Sequence, residues 1–241
     1  MFRRTECGTM SIVASIRGQL APIHRQGYLF IAMSAVVSVA LFFVAAPLGW
    51  LGTVVTAWML YFFRDPPRVT PLADGLFVAP ADGRVSGVTQ ALPPVELGLG
   101  DRALPRISIF MSVFDCHINR SPVAGRIERV VYRPGKFFNA DLDKASEENE
   151  RNAFIITGPV GRIAVVQVAG LIARRIVVFA HEGQDIRAGE RIGMIRFGSR
   201  VDVYLPDHLA PLVSPGQTAI AGETIIADAR RPDNARTYRA S

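Results

Sequence analysis

The sequence predicts a mainly β protein of the α+β class: a barrel-sandwich-like β domain preceded by an N-terminal helical membrane hairpin. Three observations support this prediction, namely a long uncharged run near the N-terminus, a later series of short apolar runs, and an internal repeat. Hydrophobic residues make up 49% of the 241 residues, and their excess is concentrated in the early run. A chain of this length accommodates one large domain with an appendage.

Residues 1–26 form the first predicted segment, which is basic. Arginine predominates, and Glu6 is its one acidic residue. Ile12, Val13 and Ile16 could share one helical face, which is typical of a short amphipathic segment at a membrane surface. A disordered start explains the same residues, and the sequence leaves both alternatives open.

Residues 27–64 form the predicted membrane hairpin. Tyr28 to Ala46 is an uncharged run that spans about 28 Å as a helix, close to the hydrocarbon thickness of a bilayer. Pro47-Leu48-Gly49 is predicted to form the turn, and Leu51 to Phe63 is the second apolar run. The hairpin either spans the membrane or re-enters it, and a hairpin buried in a soluble core is the alternative.

The charges around the hairpin predict its orientation. Arg17 and Arg25 precede it, and Arg64 and Arg68 follow it. Positive charge on both sides favours placing both ends, and the domain of residues 65–241, at the cytoplasmic face of the cell membrane. The formal net charge of +6 also suits an anionic membrane surface. The sequence shows no zinc-finger spacing or recognition-helix pattern, so we expect no nucleic-acid partner and no metal.

Residues 65–241 are predicted to form the β-rich domain. Prolines and glycines recur through this region and separate short apolar runs, a pattern typical of many short strands. One polar, helix-prone patch runs from Ala140 to Arg151. The strand-like runs are Leu76 to Val78, Arg84 to Val88, Ile107 to Val113, Ile127 to Tyr132, Phe154 to Ile156, Ile163 to Ala169, Arg175 to Phe179, Arg191 to Ile195 and Val201 to Pro206.

An internal repeat supports the β interpretation. The segment from Gly183 to Ile192 recurs from Gly216 to Ile225, with a shared frame of Gly-Gln, then Ala-Gly-Glu, then Ile. This frame resembles the turn-and-strand unit of barrel-sandwich folds such as lipoyl-carrier domains. A carrier needs a lysine at the tip of a hairpin, and no lysine follows Lys144, so cofactor attachment at the repeat is excluded.

Gly198-Ser199 lies between two of the strand-like runs, where the chain must bend or bulge. The ordinary interpretation is a Gly-Ser hairpin turn, because both residues are common in turns. The functional interpretation is a site at which the serine hydroxyl attacks the preceding carbonyl, provided that a base takes its proton.

Two other segments could carry catalytic groups. His117 follows an apolar strand and is surrounded by Asp, Asn and Arg, and its imidazole could act as a base near neutral pH. A lone histidine of this kind is often only structural. Asp82 lies in an Ala-Pro-Ala-Asp-Gly segment that is first of all a turn signal, although its carboxylate could orient an imidazole. His181 and His208 are predicted to lie at the surface.

Taken together and in order, these motifs are more specific than any one of them. After the apolar hairpin come Phe62-Phe63-Arg64-Asp65-Pro66, Pro80-Ala81-Asp82-Gly83, Asp115-Cys116-His117 with Ser121-Pro122, Asn149-Glu150-Arg151 and Phe197-Gly198-Ser199-Arg200. From about residue 28 to residue 207, the chain resembles the short form of the phosphatidylserine decarboxylase family.

The resemblance implies a proenzyme that cuts itself between Gly198 and Ser199. Ser199 would attack the Gly198 carbonyl, and later steps would convert it into a covalent pyruvoyl group. The two products, residues 1–198 and 199–241, would form a heterodimer. The pyruvoyl group would form a Schiff base with phosphatidylserine and accept electrons as CO₂ leaves, which yields phosphatidylethanolamine for phospholipid biosynthesis without a separately bound cofactor.

The resemblance also implies roles for single residues. Ser199 corresponds to the nucleophile, His117 to the histidine of the decarboxylation and protonation step, and Asp82 to the aspartate of the self-cleavage triad. The chain departs from the long form of the family at Arg120, where that form has a second histidine, and at Arg200, where it has threonine.

Because the second histidine is missing, the base that activates Ser199 is either His117 or His181. Two other functions share part of the pattern. A membrane-anchored adaptor would keep the hairpin and the repeat without any chemistry. A pyruvoyl enzyme for a soluble amino acid would keep the Gly-Ser pair, although the hairpin argues against it.

Overall fold

The computed structural model describes residues 21–135, 149–170, 175–196 and 199–230. These residues divide between Pro67 and Arg68 into two compact units. The smaller unit is helical and the larger one is built mainly of strands, which confirms the predicted class of a β domain preceded by apolar helices.

The smaller unit is a helical hairpin. A short 3-10 turn, Arg25–Gly27, leads into α1 (Tyr28–Val44), and α2 (Ala46–Phe62) follows after one residue. Ala45 is extended, with φ −162° and ψ 135°, and it alone separates the helices. The predicted turn at Pro47-Leu48-Gly49 is therefore wrong. Pro47 lies in the first turn of α2, where its missing N–H would have no partner in any case.

Small and hydroxyl-bearing residues join the two helices. Ser34 Oγ lies 2.8 Å from Thr56 Oγ1, and Ser38 Oγ lies 3.0 Å from the same atom. At Gly52, an added Cβ would lie 2.9 Å from the Ser38 Cα, so only glycine permits this approach. Such contacts between small residues are typical of helices that pack in a membrane.

The surface of the hairpin is apolar. The stretch Arg25–Val44 is long and apolar enough to cross a membrane, whereas α2 is a shorter apolar helix. Phe43 is 87% exposed and Val36 is 69% exposed, although both are large hydrophobic residues. Exposed apolar side chains on a helix of this length suggest association with a membrane.

The larger unit consists of short antiparallel strands. In chain order they are β1 (Leu76–Val78), β2 (Gly83–Ala91), β3 (Leu104–Met111), β4 (Ile118–Arg120), β5 (Gly125–Arg133), β6 (Arg151–Gly158), β7 (Gly161–Ala169), β8 (Ile176–Val178), β9 (Asp185–Ile186), β10 (Arg191–Ile195), β11 (Ser199–Tyr204), β12 (Thr218–Ala219) and β13 (Ile225–Asp228). Each predicted strand-like run overlaps one of them.

The strands form one curled sheet and two small ones. The eight-stranded sheet has the order β12-β2-β3-β11-β7-β6-β5-β9, the three-stranded sheet is β4-β10-β8, and β1 pairs with β13. The main core includes Ile109 of β3, Val165 of β7 and Val201 of β11, and it extends to Ile192 of β10. The core therefore lies between the concave face of the large sheet and the small sheets.

The ordinary interpretation of Gly198-Ser199 as a hairpin turn between paired strands is wrong. The strands on either side of the pair, β10 and β11, do not pair with each other: β10 pairs with β4 and β8, and β11 with β3 and β7. The chain thus passes from one sheet to another across residues 196–198. The helix-prone patch falls mostly outside the described residues, and its last residue, Arg151, opens β6.

The sequence repeat corresponds to a repeated arrangement of strands. Counted outward from its centre, the large sheet matches β11 with β7, β3 with β6, β2 with β5 and β12 with β9. The first glycine of each repeat makes the same hydrogen bond: Gly183 N donates to Ile127 O, and Gly216 N donates to Val85 O, both at 2.8 Å. Both glycines have positive φ, which favours glycine over other residues.

The repeat is longer than the sequence alone indicated. The second glycines, Gly189 and Gly222, donate at 2.8 Å to the carbonyls of Ser121 and Ala79. These acceptors open two further matching segments, Ala-Pro-Ala-Asp-Gly-Arg-Val at residues 79–85 and Ser-Pro-Val-Ala-Gly-Arg-Ile at residues 121–127. The β domain is thus two similar halves related by an approximate twofold arrangement.

The hairpin contact predicts a specific cross-link. In the double variant Ser34→Cys with Thr56→Cys, mild oxidation should form a disulfide within one chain, because the two hydroxyl oxygens lie 2.8 Å apart. The mass of the tryptic peptide of residues 26–64 should fall by two hydrogen atoms. Ser34→Cys with Thr53→Cys is the control, since Thr53 is exposed and bonds only within its own helix. Equal cross-linking of both pairs would contradict the described packing.

Candidate active site

Ser199 is the first residue of β11, in the middle of the large sheet. It is fully buried and pairs with Met111 on one side and Ala169 on the other. Its Oγ makes no hydrogen bond among the described residues. The next residue, Arg200, points to the opposite face and forms a buried ion pair with Asp202, with Nε and Oδ1 2.9 Å apart. Gly198, the other half of the predicted cleavage site, lies outside the described residues.

His117 lies immediately before β4 and is fully buried. Its carbonyl accepts a hydrogen bond from Ile195 N at 3.3 Å, at the end of the strand that leads toward Ser199. Its Nδ1 lies 2.9 Å from the Asp115 carbonyl oxygen. A carbonyl can only accept, so Nδ1 carries a proton, and in the neutral ring Nε2 is the basic nitrogen.

Asp82 lies two residues after Pro80, just before β2, and its carboxylate is held from two sides. Oδ1 accepts a hydrogen bond from Ala221 N at 2.7 Å, and Oδ2 forms an ion pair with Arg68. The side chain is only 13% exposed. The Asp82 carboxylate therefore contacts the second sequence repeat. The His117 ring, by contrast, contacts the Asp115 carbonyl through its Nδ1.

The twofold arrangement gives Ser199 a counterpart in the other half. Gly83 packs against the backbone of residues 110 and 111, and Gly125 packs in the same way against residues 157 and 158. In one half Met111 pairs with Ser199, and at the matching position of the other half Gly158 pairs with Gly161. Gly161 is thus the counterpart of Ser199.

His117 has a counterpart by the same reasoning. Arg120 N donates to Pro80 O at 2.8 Å, and Val78 N donates to Pro122 O at 2.9 Å. Arg120 and Val78 are therefore equivalent. His117 precedes Arg120 by three residues, as Gly75 precedes Val78.

The counterparts of the three predicted site residues lie around one space. Asp82 corresponds to Ala124, since each precedes the glycine that opens β2 or β5. Gly75, Ala124 and Gly161 all line one cavity of about 480 Å³. Because the halves match, Asp82, His117 and Ser199 are expected to surround one common space. In the other half the same positions carry no reactive side chain.

The remaining predicted histidines lie elsewhere. His181 is exposed, and its Nδ1 is 3.2 Å from the Glu182 carbonyl oxygen. It lies four residues before β9 (Asp185–Ile186), the edge strand of the large sheet on the β7 side of β11. His208 is exposed beside Asp207. Both agree with the predicted surface positions.

A second group of polar residues surrounds the strand ends near Ser199. Asn149 Nδ2 donates to the carbonyl of Ala169, the neighbour of Ser199, at 2.7 Å. Glu150 is buried and accepts a hydrogen bond from Ile176 N at 3.3 Å. Desolvation, followed by the charge and hydrogen bond of Glu150, raises the pKa of Tyr132. Sequence analysis noted Asn149 and Glu150 only as part of a motif.

A buried chain of amides connects the two sheets and was missed by sequence analysis. Asn152 Nδ2 donates to Gln167 Oε1 at 3.0 Å, and Gln167 Nε2 donates to Asn119 Oδ1 at 2.7 Å. All three side chains are fully buried. A Cβ at Gly193 would lie 2.8 Å from Gln167 Nε2, so glycine makes room for the chain. The available signal was an amide in each of three short strand-like segments that are mostly buried.

Comparison with known proteins gives a matching family and a similar protein. A sequence profile of the phosphatidylserine decarboxylase family matches residues 55–227. The chain is also 60% identical over 228 residues to a phosphatidylserine decarboxylase proenzyme from Nitrobacter winogradskyi, which covers 94% of this chain and 92% of that protein. Among the described residues, no group of three or more His, Cys, Asp or Glu side chains could hold a metal ion.

The amide chain predicts a measurable contribution to stability. Gln167→Met keeps the length of the side chain but removes the hydrogen bonds of Asn119 Oδ1 and Asn152 Nδ2 to Gln167, at about 1–3 kcal/mol for each group. We expect the melting temperature of the detergent-solubilised protein to fall by roughly 4–10 °C. Gln90→Met, at an exposed position of β2, should change it by less than about 2 °C. Equal melting temperatures would show that the amide chain contributes nothing.

Proposed function

The chain belongs to the phosphatidylserine decarboxylase family and is a decarboxylase that converts phosphatidylserine into phosphatidylethanolamine, and we propose that it does so with a pyruvoyl group made from its own Ser199. Enzymes of this family depend on a pyruvoyl group in general. The proposal assigns self-cleavage to the Gly198–Ser199 bond, with His117 as the base and Asp82 as the supporting acid.

The observation that carries the proposal is the state of the Ser199 hydroxyl. A buried hydroxyl without a hydrogen bond costs about 1–3 kcal/mol, so a serine with a purely structural role would be replaced by alanine without loss. Ser199 Oγ is such a hydroxyl among the described residues, and it begins a strand held on both sides. A reactive group needs this combination of a fixed backbone and an uncommitted oxygen.

Self-cleavage can be written so that its atoms balance. A base takes the Ser199 hydroxyl proton as Oγ attacks the Gly198 carbonyl carbon; the peptide C–N bond breaks, the nitrogen takes a proton, and an ester remains. Removal of the Ser199 Cα proton then expels the Gly198 carboxylate from Cβ. The resulting dehydroalanine amine tautomerises to an imine, and water replaces its nitrogen, which leaves as ammonia. The carbonyl so formed is the pyruvoyl group.

His117 is the better candidate for the base. Its Nδ1 donates to the Asp115 carbonyl, and this contact defines the tautomer in which Nε2 can accept a proton. His181 is exposed and lies four residues before the edge strand β9, whereas Ser199 begins the central strand β11. Arg120, which replaces the second histidine of the long form, donates to the Gly189 carbonyl at 2.8 Å, and a guanidinium cannot act as a base at neutral pH.

Asp82 is proposed to act through its charge. Both of its oxygens accept hydrogen bonds, from Arg68 and from Ala221 N, and these contacts hold the carboxylate in place. A fixed carboxylate stabilises the imidazolium that forms when His117 takes the serine proton. The Asp115 carbonyl, rather than Asp82, orients the ring.

The same residues serve the decarboxylation. A pyruvoyl group supplies an acceptor for the electron pair that remains on Cα when CO₂ leaves, which no ordinary side chain can do. His117, buried beside the end of β10, is proposed to return a proton to that Cα. The buried position of Ser199 keeps bulk water away from the reacting carbon.

We further propose that the two fragments stay together and work at the cytoplasmic face of the membrane. The fragment of residues 199–241 would contribute β11, which is hydrogen-bonded along its length to β3 and β7 of the other fragment. The apolar hairpin would keep the enzyme at the bilayer that holds its lipid substrate.

Removal of the Ser199 hydroxyl tests the nucleophile. Wild-type protein should run on a denaturing gel as two fragments, residues 1–198 and 199–241, and intact mass should identify a blocked terminus at residue 199. Ser199→Ala should remain one chain without decarboxylase activity, because no oxygen can attack Gly198. Ser86→Ala, on an exposed part of β2, should divide normally. A Ser199→Ala chain that still divides at this bond would refute the assignment.

Replacement of each histidine tests the base. His117→Ala should slow the appearance of the two fragments by at least about 100-fold, the usual contribution of a general base. His181→Ala should divide at a rate within about twofold of wild type. The measurement is the fraction divided against time after a pulse of synthesis. Arrest in His181→Ala with normal division in His117→Ala would reverse the assignment.

A further inference from the structure

Three basic residues lie at one end of the three-stranded sheet. Strand β10 is central, and β4 and β8 run antiparallel to it on either side. His117 precedes β4, Arg196 follows β10, and Arg175 precedes β8. The three residues are therefore neighbours at the same end of the sheet. Neighbouring strands lie about 4.8 Å apart. Three residues after Arg196, the chain reaches Ser199.

The two arginines are held next to each other. Arg196 N donates to the Arg175 carbonyl at 3.3 Å, which fixes their backbones side by side. Desolvation, and then the positive charge of Arg175, lowers the pKa of Arg196. Two like charges brought together in this way are stabilised when an anion binds between them.

The acid in this region is already engaged. The charges of Glu150 and Arg175 both affect the pKa of Tyr132, so the two residues lie in the same neighbourhood. The Glu150 carboxylate, however, accepts hydrogen bonds from Ile176 N and from the Tyr132 hydroxyl. Arg175 is exposed and forms no ion pair with any residue that the structure describes. Its guanidinium is therefore available to a ligand.

We propose that Arg175 and Arg196 bind the phosphodiester of phosphatidylserine. The inference rests on the proposed function, because it takes the pyruvoyl group at Ser199 and the proton donor at His117 as the reacting centre. The phosphorus of the head group is only three covalent bonds from the Cα that reacts. The phosphate must therefore lie close to that centre. Arg175 and Arg196 meet this condition, because they lie at the same end of the three-stranded sheet as His117. Guanidinium pairs match phosphate oxygens in geometry and charge.

The head group also has a carboxylate, but the arginines are poorly suited to hold it. Cations around the carboxylate stabilise the charge that the reaction removes, so they would bind the ground state better than the transition state and slow the loss of CO₂. Cations at the phosphate interact equally with the substrate in the ground state and in the transition state, because the phosphate charge does not change. The arginine pair should thus determine KM and leave kcat nearly unchanged.

The proposal is tested on the full-length, self-cleaved enzyme in mixed micelles. Arg175→Gln should divide normally and keep its pyruvoyl group, while KM for phosphatidylserine rises at least tenfold and kcat stays within about threefold. Glycerophosphocholine is a suitable probe, since it carries the phosphodiester but no primary amine that could react with a keto group. It should inhibit wild type competitively, and its inhibition constant should rise at least tenfold in Arg175→Gln.

Two controls separate the specific effect from general charge. Arg133→Gln removes the same charge from the Ser199 end of the large sheet but on its opposite face, where Arg133 is 57% exposed, and it should leave both constants within about twofold of wild type. Arg175→Lys keeps the charge but loses the planar fork, and it should give an intermediate KM. Equal effects in Arg175→Gln and Arg133→Gln would overturn the proposal.

Other outcomes also decide the question. Inhibition by inorganic phosphate but not by glycerophosphocholine would indicate a free-phosphate site and overturn the assignment to substrate. Loss of self-cleavage in Arg175→Gln, restored in Arg175→Lys, would assign the pair to processing instead. A wild-type chain that never divides would refute the proposed function itself, and this result is read from the gel before any constant is measured.

Discussion

The structure depends on the hydrogen bonding of β11 to a strand on each side. β3 and β7 hold β11 through its whole length, while β10 belongs to a different sheet. The bond proposed to break therefore lies where the chain passes between sheets, and breaking it removes no ladder hydrogen bond from either strand. The new terminus at residue 199 would stay fixed by Met111 and Ala169, so the reactive carbonyl would remain in place after the chain is cut.

The twofold arrangement explains how a site can arise at one end of the domain only. Both halves use equivalent glycines and equivalent backbone hydrogen bonds, so the cavity of one half is expected to have a counterpart in the other. The cavity of one half is lined by Gly75, Ala124 and Gly161, and none of these three positions carries a reactive side chain. The chemistry proposed here thus depends on a few side chains added to a scaffold that does not itself distinguish its two ends.

Much of the fold could be predicted from the sequence, because alternating apolar runs and Pro/Gly turns depend on local residues. The strands, the apolar helices and the repeat all followed from such patterns. The turn at Pro47 was predicted wrongly, since proline also fits the first turn of a helix. The Gly-Ser hairpin was wrong because pairing between distant strands, rather than local turn preference, places β10 and β11 in different sheets.

The site was only partly predictable for the same reason. Ser199, His117 and Asp82 were proposed through a family resemblance, but their surroundings are set by distant residues: Ala221, which donates to Asp82, is 139 positions away. The arginine pair shows the limit most clearly. Arg175 and Arg196 are unremarkable in sequence, and they become neighbours only because β8 pairs with β10. A binding site made by strand pairing has no local sequence signature, so its recognition required the register of the sheet.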